Sequence, residues 1–181
     1  MTDESTSNSP HSIGPHGIPS DIRVIEANLA DRNQIEAIIN VLDTYAREPA
    51  GGSAAIPTDV RERLTTDLQH VENALVFAAV EANKRTVGIA ICFHGYSTFK
   101  ARPLINIHDL AVLPDQRGRG VGSALIAAVE KRARAQNCCK ITLEVLDDNY
   151  GARRLYESVG FTDGGPGEQD TTTLFLQKPL L

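Results

Sequence analysis

Residues 107–123 form the chemically most suggestive run of the chain, and its centre is Arg117, Gly118, Arg119, Gly120, Val121, Gly122 and Ser123. An apolar, strand-like segment runs into a short Gly-rich loop and then into a helix. Such a loop offers several free backbone N–H groups at the positive end of a helix dipole, which is an anion site. Glycine at alternate positions removes the side chains that would hold a phosphate off the backbone. Arg117 and Arg119 add positive charge at the rim. A lone Gly-x-Gly is more often a tight turn, but arginines interleaved at a helix start point to a phosphate-type ligand. A Walker loop would need Gly-x-x-x-x-Gly-Lys, and no Lys follows here. The dinucleotide fingerprint Gly-x-Gly-x-x-Gly fails in both registers, because its third glycine falls on Ser123 or on Leu125.

The elements that must carry this loop follow from the hydrophobic period. Alternation over 22–26 predicts a first strand, and Ile35, Ile38, Ile39, Leu42 and Tyr45 recur at helical spacing, predicting a helix over 29–47. Pro49, Gly51 and Gly52 break it. A second helix is expected over 59–71, capped by Thr58, with Val60, Leu64 and Leu68 on one face. The period then changes to two: strands over 74–81 and 86–96 flank a turn at 82–85, and a further strand covers 104–113, stopped by Pro114. A helix over 120–136, a strand over 140–146, a helix over 150–159 and a closing strand over 171–177 complete the order. Hairpin strands followed by a βαβ unit imply an α/β fold, with a mixed, mostly antiparallel sheet of six or seven strands and helices on both faces.

Composition narrows the function classes. Of 181 residues, 41 % are apolar and 23 % charged, which is ordinary for a globular domain with a core of its own. Lys plus Arg number 18 against 23 for Asp plus Glu, a net charge of −5, and aromatics are only 5 % with no Trp. A nucleic-acid partner would call for the opposite charge and for stacking platforms, so none is expected. Cys92, Cys138 and Cys139 make no disulfide framework and no Cys-x-x-Cys zinc spacing, so reduced thiols, a cytoplasmic location and no metal are expected. No apolar run approaches a membrane span. Residues 1–20 are rich in Ser, Pro, Gly, Asn and Thr and read as a disordered tail, His11 and His16 included, ahead of one domain over 21–181.

The loop resembles the acyl-CoA motif of the GNAT superfamily of acetyl-CoA-dependent N-acetyltransferases, Gln/Arg-x-x-Gly-x-Gly/Ala, which Arg117, Gly120 and Gly122 match at every fixed position. Asn149, Ala152, Tyr156, Gly160 and Phe161 match a second family pattern, Asn-x-x-Ala-x-x-x-Tyr-x-x-x-Gly-Phe. The resemblance is strong over 104–161. It implies acetyl-CoA as co-substrate, a small-molecule or peptide amine as acceptor, and a GNAT-like acyl-CoA N-acyltransferase fold; homodimerisation is in keeping with it. It further implies that the strand with Leu110, Ala111 and Val112 splays from the strand over 140–146. The pantetheine arm would fill the gap like an added strand, while N–H groups from Gly118 to Ser123 hold the pyrophosphate. An N–H near Leu110 or Val112 would polarise the thioester carbonyl, and Asn149 would orient the arm.

Within that resemblance Tyr156 is the expected general acid. A phenol is protonated at neutral pH and can donate to the departing sulfur. It lies seven residues after Asn149, two turns along one helix face. The alternative is a core tyrosine. The attacking ammonium must also lose a proton, and His108, Asp109 and Glu144 are candidate bases. On a regular strand His108 and Asp109 would point to opposite faces, so only one would meet the acceptor. His94 and Tyr96 are expected at the core edge, and the cysteines as small buried hydrophobes. Segments 49–56 and 97–103, with the first two helices, are expected to shape the acceptor pocket. A rival reading of the same fold is an acyl-CoA-binding regulatory or assembly module without turnover; it predicts a damaged acid, whereas Tyr156 is present.

Overall fold

Strands β1 (Ile22–Glu26), β2 (Ala74–Glu81), β3 (Thr86–Ser97) and β4 (Arg102–Val112) form an antiparallel run, each pairing with the one before it. The chain is described by a computed structural model over residues 19–163 and 173–180. Most of the 1–20 tail and the first two residues of the expected closing strand therefore lie outside the described residues. After β4 the chain crosses over through α3 (Val121–Ala135) to β5 (Lys140–Leu146), which pairs with β4 in parallel. Helix α4 (Tyr150–Ser158) leads to β6 (Thr162–Asp163) and β7 (Thr173–Pro179), and the seven-stranded order is β1-β2-β3-β4-β5-β7-β6. The mixed, mostly antiparallel sheet with helices on both faces is the architecture expected.

Two apolar layers flank the sheet. Val121, Leu125, Ile126 and Val129 of α3 pack on Ala90, Ile105, Ile107, Ile141 and Leu143. On the opposite face Ile38 and Val41 of α1 (Arg32–Ala46) pack on Val76, Ile89, Ile91 and Ala111. Cys92, Cys138 and Cys139 are buried free thiols, the first two in the α3 layer, and burial raises the pKa of Cys92 and Cys138.

Helix boundaries depart from the periodic reading for local reasons. Asp31 caps α1 by accepting from Asn33 N at 3.0 Å, so the helix starts at Arg32 and not at residue 29. Thr58 does not cap α2 (Thr58–Asp67); it is the first helical residue, behind Pro57, and no side chain caps this end. That helix buries none of its residues, and Leu68 reaches the core only from the 3-10 turn Leu68–His70 that follows.

Two irregularities make room in the middle of the sheet. β4 and β5 share only the pairs Ile105–Ile141, Asn106–Thr142 and Ile107–Leu143, and both strands run on past the last of them. Just there β4 carries a β-bulge. Asp109 pairs with Ile91 and Ile107 with Cys92, which leaves His108 as the extra residue. The bulge resets the alternation: Ile105 and Ile107 face the α3 layer, whereas Ala111 faces the α1 layer.

Candidate active site

The Gly-rich loop begins with a 3-10 turn at Pro114–Gln116 and delivers the chain to α3 through two left-handed residues, Gly118 (φ +73°) and Gly120 (φ +79°). Nothing lies near a side chain added at Gly118, so there the backbone angle is what demands glycine. Gly122 serves a different end: an added Cβ would stand 2.8 Å from Leu155 Cδ2, so its absence lets α3 close against α4. Among the described residues no backbone N–H from 118 to 123 finds an acceptor. The first to do so is Ala124 N, on Gly120 O at 3.0 Å. Six consecutive unsatisfied donors at a helix N-terminus form a ready anion cradle.

This cradle is one wall of a cleft of about 620 Å³. Leu110, Ala111 and Val112 form another wall, where β4 has lost its β5 neighbour and alternate backbone groups face the opening. Arg117 lines the cleft, but its guanidinium is already engaged: Nε donates to Val112 O at 3.0 Å and Nη2 pairs with Glu48 Oε1 at 2.6 Å. Arg119 is turned away, towards Gln116 Oε1 and, at 3.9 Å, Asp21. Positive charge inside the cleft comes also from Arg154 on α4, which sequence reasoning did not single out.

A second cleft of about 210 Å³ opens beside the first and shares Tyr45, Ala50, Leu110, Asn149, Ala152 and Tyr156 with it. Tyr156 is 6 % exposed, with its ring centroid 5.8 Å from that of Phe161. Burial, aided by neighbouring Tyr45, pushes its phenol up to about 12, so the hydroxyl stays protonated. No described residue hydrogen-bonds to that hydroxyl. Asn149 caps α4, its Oδ1 accepting from Ala152 N at 3.1 Å, which leaves the NH₂ of the amide for the cleft.

The smaller cleft is also lined by His108, Asp109 and Glu144. The bulge overturns the expected opposite orientation of the first two. His108 Nδ1 lies 3.1 Å from Asp109 Oδ2, and the His108 ring sits edge-on to Phe93, which packs with the α1 layer. Both side chains therefore reach one cleft, His108 at 65 % exposure and Asp109 at 27 %. Tyr45, at the end of α1, closes the junction, donating its hydroxyl to Ala50 O at 3.0 Å. Burial, reinforced by the negative charges of Asp109 and Glu48, raises its pKa. Tyr45 and Ala50 belong to the first helix and the 49–56 segment expected to shape the acceptor pocket, whereas Glu48 had no signal beyond the Pro-Gly-Gly break that folds the chain back at this point. Of the segments expected to shape an acceptor pocket, 97–103 lines neither cleft. His94 is tied to Gln136 at 2.8 Å, at the core edge, and Tyr96 is exposed. No described group of His, Cys, Asp and Glu is arranged to hold a metal ion, and no described helix is long and apolar enough to cross a membrane.

Over 77 residues the chain is 39 % identical to the thialysine N-ε-acetyltransferase of Bos taurus, a match covering 42 % of this chain and 45 % of that protein. The chain thus spans less than half the length of that relative. An acetyltransferase of the GNAT family from Staphylococcus aureus Mu50 superposes with a TM-score of 0.69 at 18 % identity, over 88 % of this chain and 99 % of the other. The PaiA N-acetyltransferase from Thermoplasma acidophilum, solved with coenzyme A, gives 0.65 at 16 % identity, over 87 % and 98 %. At these identities the two structures speak for the fold alone. The model of the acetyltransferase (GNAT) family matches residues 38–161, a stretch that runs from α1 through both clefts to Phe161, and the chain belongs to that family.

Proposed function

We propose that this chain transfers the acetyl group of acetyl-CoA to a primary amine by direct attack, with Tyr156 protonating the leaving thiolate. The observation that carries the reading is the position of Tyr156: a buried tyrosine with a protonated hydroxyl lines both clefts, one of which ends in six free backbone donors. The pyrophosphate of the cofactor would take the donors of 118–123. The pantetheine arm would run along the unpaired edge of β4, steered by the Asn149 amide. An N–H at Leu110 or Val112 would then polarise the thioester carbonyl.

The acceptor enters from the smaller cleft, where Asp109 and His108 together receive the proton of the attacking ammonium, directly or through water. The C–N bond forms as the C–S bond breaks, the phenol proton passes to sulfur, and the second proton that the nitrogen sheds in becoming an amide returns to the phenolate through water. Arg117 acts here as a positioning residue: by gripping Val112 O and Glu48 it locks the Gly-rich loop to the strand that presents the thioester. A cytoplasmic enzyme acting on a small-molecule or peptide amine fits this chemistry. The experiment is CoA release from acetyl-CoA over a panel of small amines and peptides, alongside the melting temperature with acetyl-CoA. Turnover with at least one amine and a concentration-dependent rise in melting temperature are expected. A rise without turnover on any amine would leave the acyl-CoA-binding module in its place.

A further inference from the structure

The two clefts carry opposite charge. In the larger one Glu48 is paired with Arg117, and Arg154 joins the free N–H groups of the loop. In the smaller one no described Lys or Arg lines the wall, and its charged side chains are Asp109 and Glu144, with His108 beside Asp109. The carboxylates are not equivalent. Asp109 is half-buried and engaged with His108, whereas Glu144 is exposed and makes no hydrogen bond or ion pair with any described residue. Leu143 and Val145 face the α3 layer, so Glu144 points to the same side of the sheet as Asp109. Phe175 stands directly across from Glu144 in the β5–β7 register, half-exposed on that same side. The acidic pair does not define the cleft by itself. Tyr156, more than nine-tenths buried, holds a hydroxyl with no partner among the described residues at the same wall.

Building on the acetyl-transfer reading, we infer that the acceptor is a short aliphatic diamine whose distal ammonium is held by Glu144 beside Phe175. One amine must give up its proton to the His108–Asp109 pair before it attacks the thioester. The second must keep its proton, and an unpaired carboxylate with an aromatic neighbour is suited to hold it. β4 and β5 are neighbouring strands that begin to part here, so Glu144 and Asp109 sit about 6 Å apart at Cα, by the usual strand spacing and rise. A few methylenes bridge that span. At about 210 Å³ the cleft is below the size usual for drug-like ligands, which suits a short diamine. Acetylation removes the charge next to Asp109 and leaves a monocation, which weakens the product's hold.

The test compares butylamine, putrescine and γ-aminobutyrate, which differ in distal charge, as acceptors for the full chain with acetyl-CoA. The expected kcat/KM for putrescine is about fivefold above that for butylamine, through KM, with γ-aminobutyrate poorest. In Glu144→Gln, an isosteric change at an exposed position, the putrescine-to-butylamine ratio falls to near one. In Glu144→Lys the order inverts in favour of γ-aminobutyrate. Equal use of putrescine and butylamine by the wild type, a ratio indifferent to Glu144→Gln, or a peptide N-terminus outpacing putrescine overturns the diamine and leaves acetyl transfer intact. Turnover of no amine at all overturns acetyl transfer itself, and the diamine with it.

Discussion

The two clefts are built by different means although they share a wall of six residues that includes Tyr156. The larger is made mostly of backbone: six N–H groups at the start of α3 and the bare edge of β4. Its ligand contacts depend on where glycines allow the chain to turn, and few of its side chains carry chemistry. The smaller is made of side chains brought together from α1, a bulged β4, β5, α4 and β7. A backbone site tolerates variety in side chains but not in conformation. A side-chain site keeps its backbone under most substitutions and changes its chemistry with each. Mutations should therefore damage the two halves in different currencies, affinity for the cofactor in one and rate or acceptor choice in the other.

The largest effect belongs to Tyr156 in that shared wall. Tyr156→Phe deletes one hydroxyl and keeps the ring on Phe161, so packing survives. If that hydroxyl protonates the departing thiolate, kcat falls by about 10²–10⁴ while acetyl-CoA affinity hardly changes. A thioester with a more acidic thiol should narrow the gap between variant and wild type, because its sulfur needs less help to leave. Near-normal turnover in stopped-time assays of CoA release would reduce Tyr156 to a core residue and strip the shared wall of its acid.

Next in size is the backbone half. Gly120 adopts φ +79° with the helix starting immediately after it. Gly120→Leu forces a side chain into a left-handed conformation at a cost of about 1–3 kcal/mol. The donors of 118–123 would then lose their common focus. The stabilisation by acetyl-CoA in a thermal melt should drop sharply or vanish, while the apo protein keeps its sheet by circular dichroism. A full shift in Gly120→Leu would mean that the loop does not hold the cofactor.

What was legible in the sequence divides along the same line. The backbone half is written in contiguous residues: Arg117 to Ser123 announce a loop and a helix start, and Leu110 to Val112 announce the strand before it. A local pattern suffices because the ligands are consecutive N–H groups. The side-chain half has no such text. Glu48 and Arg117 are 69 positions apart and meet only because a 3-10 turn folds back on the loop. Tyr45 fits an apolar helical stripe as well as any core residue would, and its hydroxyl bond to Ala50 has no signature. The bulge at His108 is the sharpest case. Perfect alternation would send His108 and Asp109 to opposite faces, and a single unpaired residue brings both to one cleft. At α2 the expected helix is present, but its buried residue Leu68 lies past its end, in the 3-10 turn that follows.

A smaller effect, in pH, sharpens the account of Tyr156. An ordinary phenol titrates near ~10, and burial lifts this one to about 12, so the folded state holds its proton where the unfolded chain has lost it. The stability this contributes is complete below about pH 10 and is lost as pH rises towards about 12. The melting temperature of the wild type should fall more steeply than that of Tyr156→Phe above about pH 10. Parallel curves would show that the phenol is not desolvated as its burial requires. Any alkaline loss of activity below that range would then belong to another group.

The smallest effect tests the ion pair of Arg117 and Glu48 at the wall of the larger cleft. Arg117 Nη2 and Glu48 Oε1 are 2.6 Å apart, with side chains 48 % and 26 % exposed, so solvent screens the pair and its direct worth is about 0.2–1 kcal/mol. Glu48→Gln should therefore leave the melting temperature almost unmoved. Its consequences for the two clefts should nevertheless differ in sign. Removing a negative charge from the wall of the larger cleft leaves Arg117 less neutralised, so acetyl-CoA should bind about twofold more tightly. On the other side Glu48 anchors the turn Pro49–Gly51, whose Ala50 carbonyl holds the Tyr45 hydroxyl at the junction. With that anchor loosened, Tyr45 keeps its helix but loses a fixed partner, and the acceptor KM should rise about twofold. Calorimetry with acetyl-CoA and acceptor saturation curves measure the two separately. Shifts in the same direction would mean that Glu48 serves only the general shape of the loop, and the two halves would then be coupled through their shared wall.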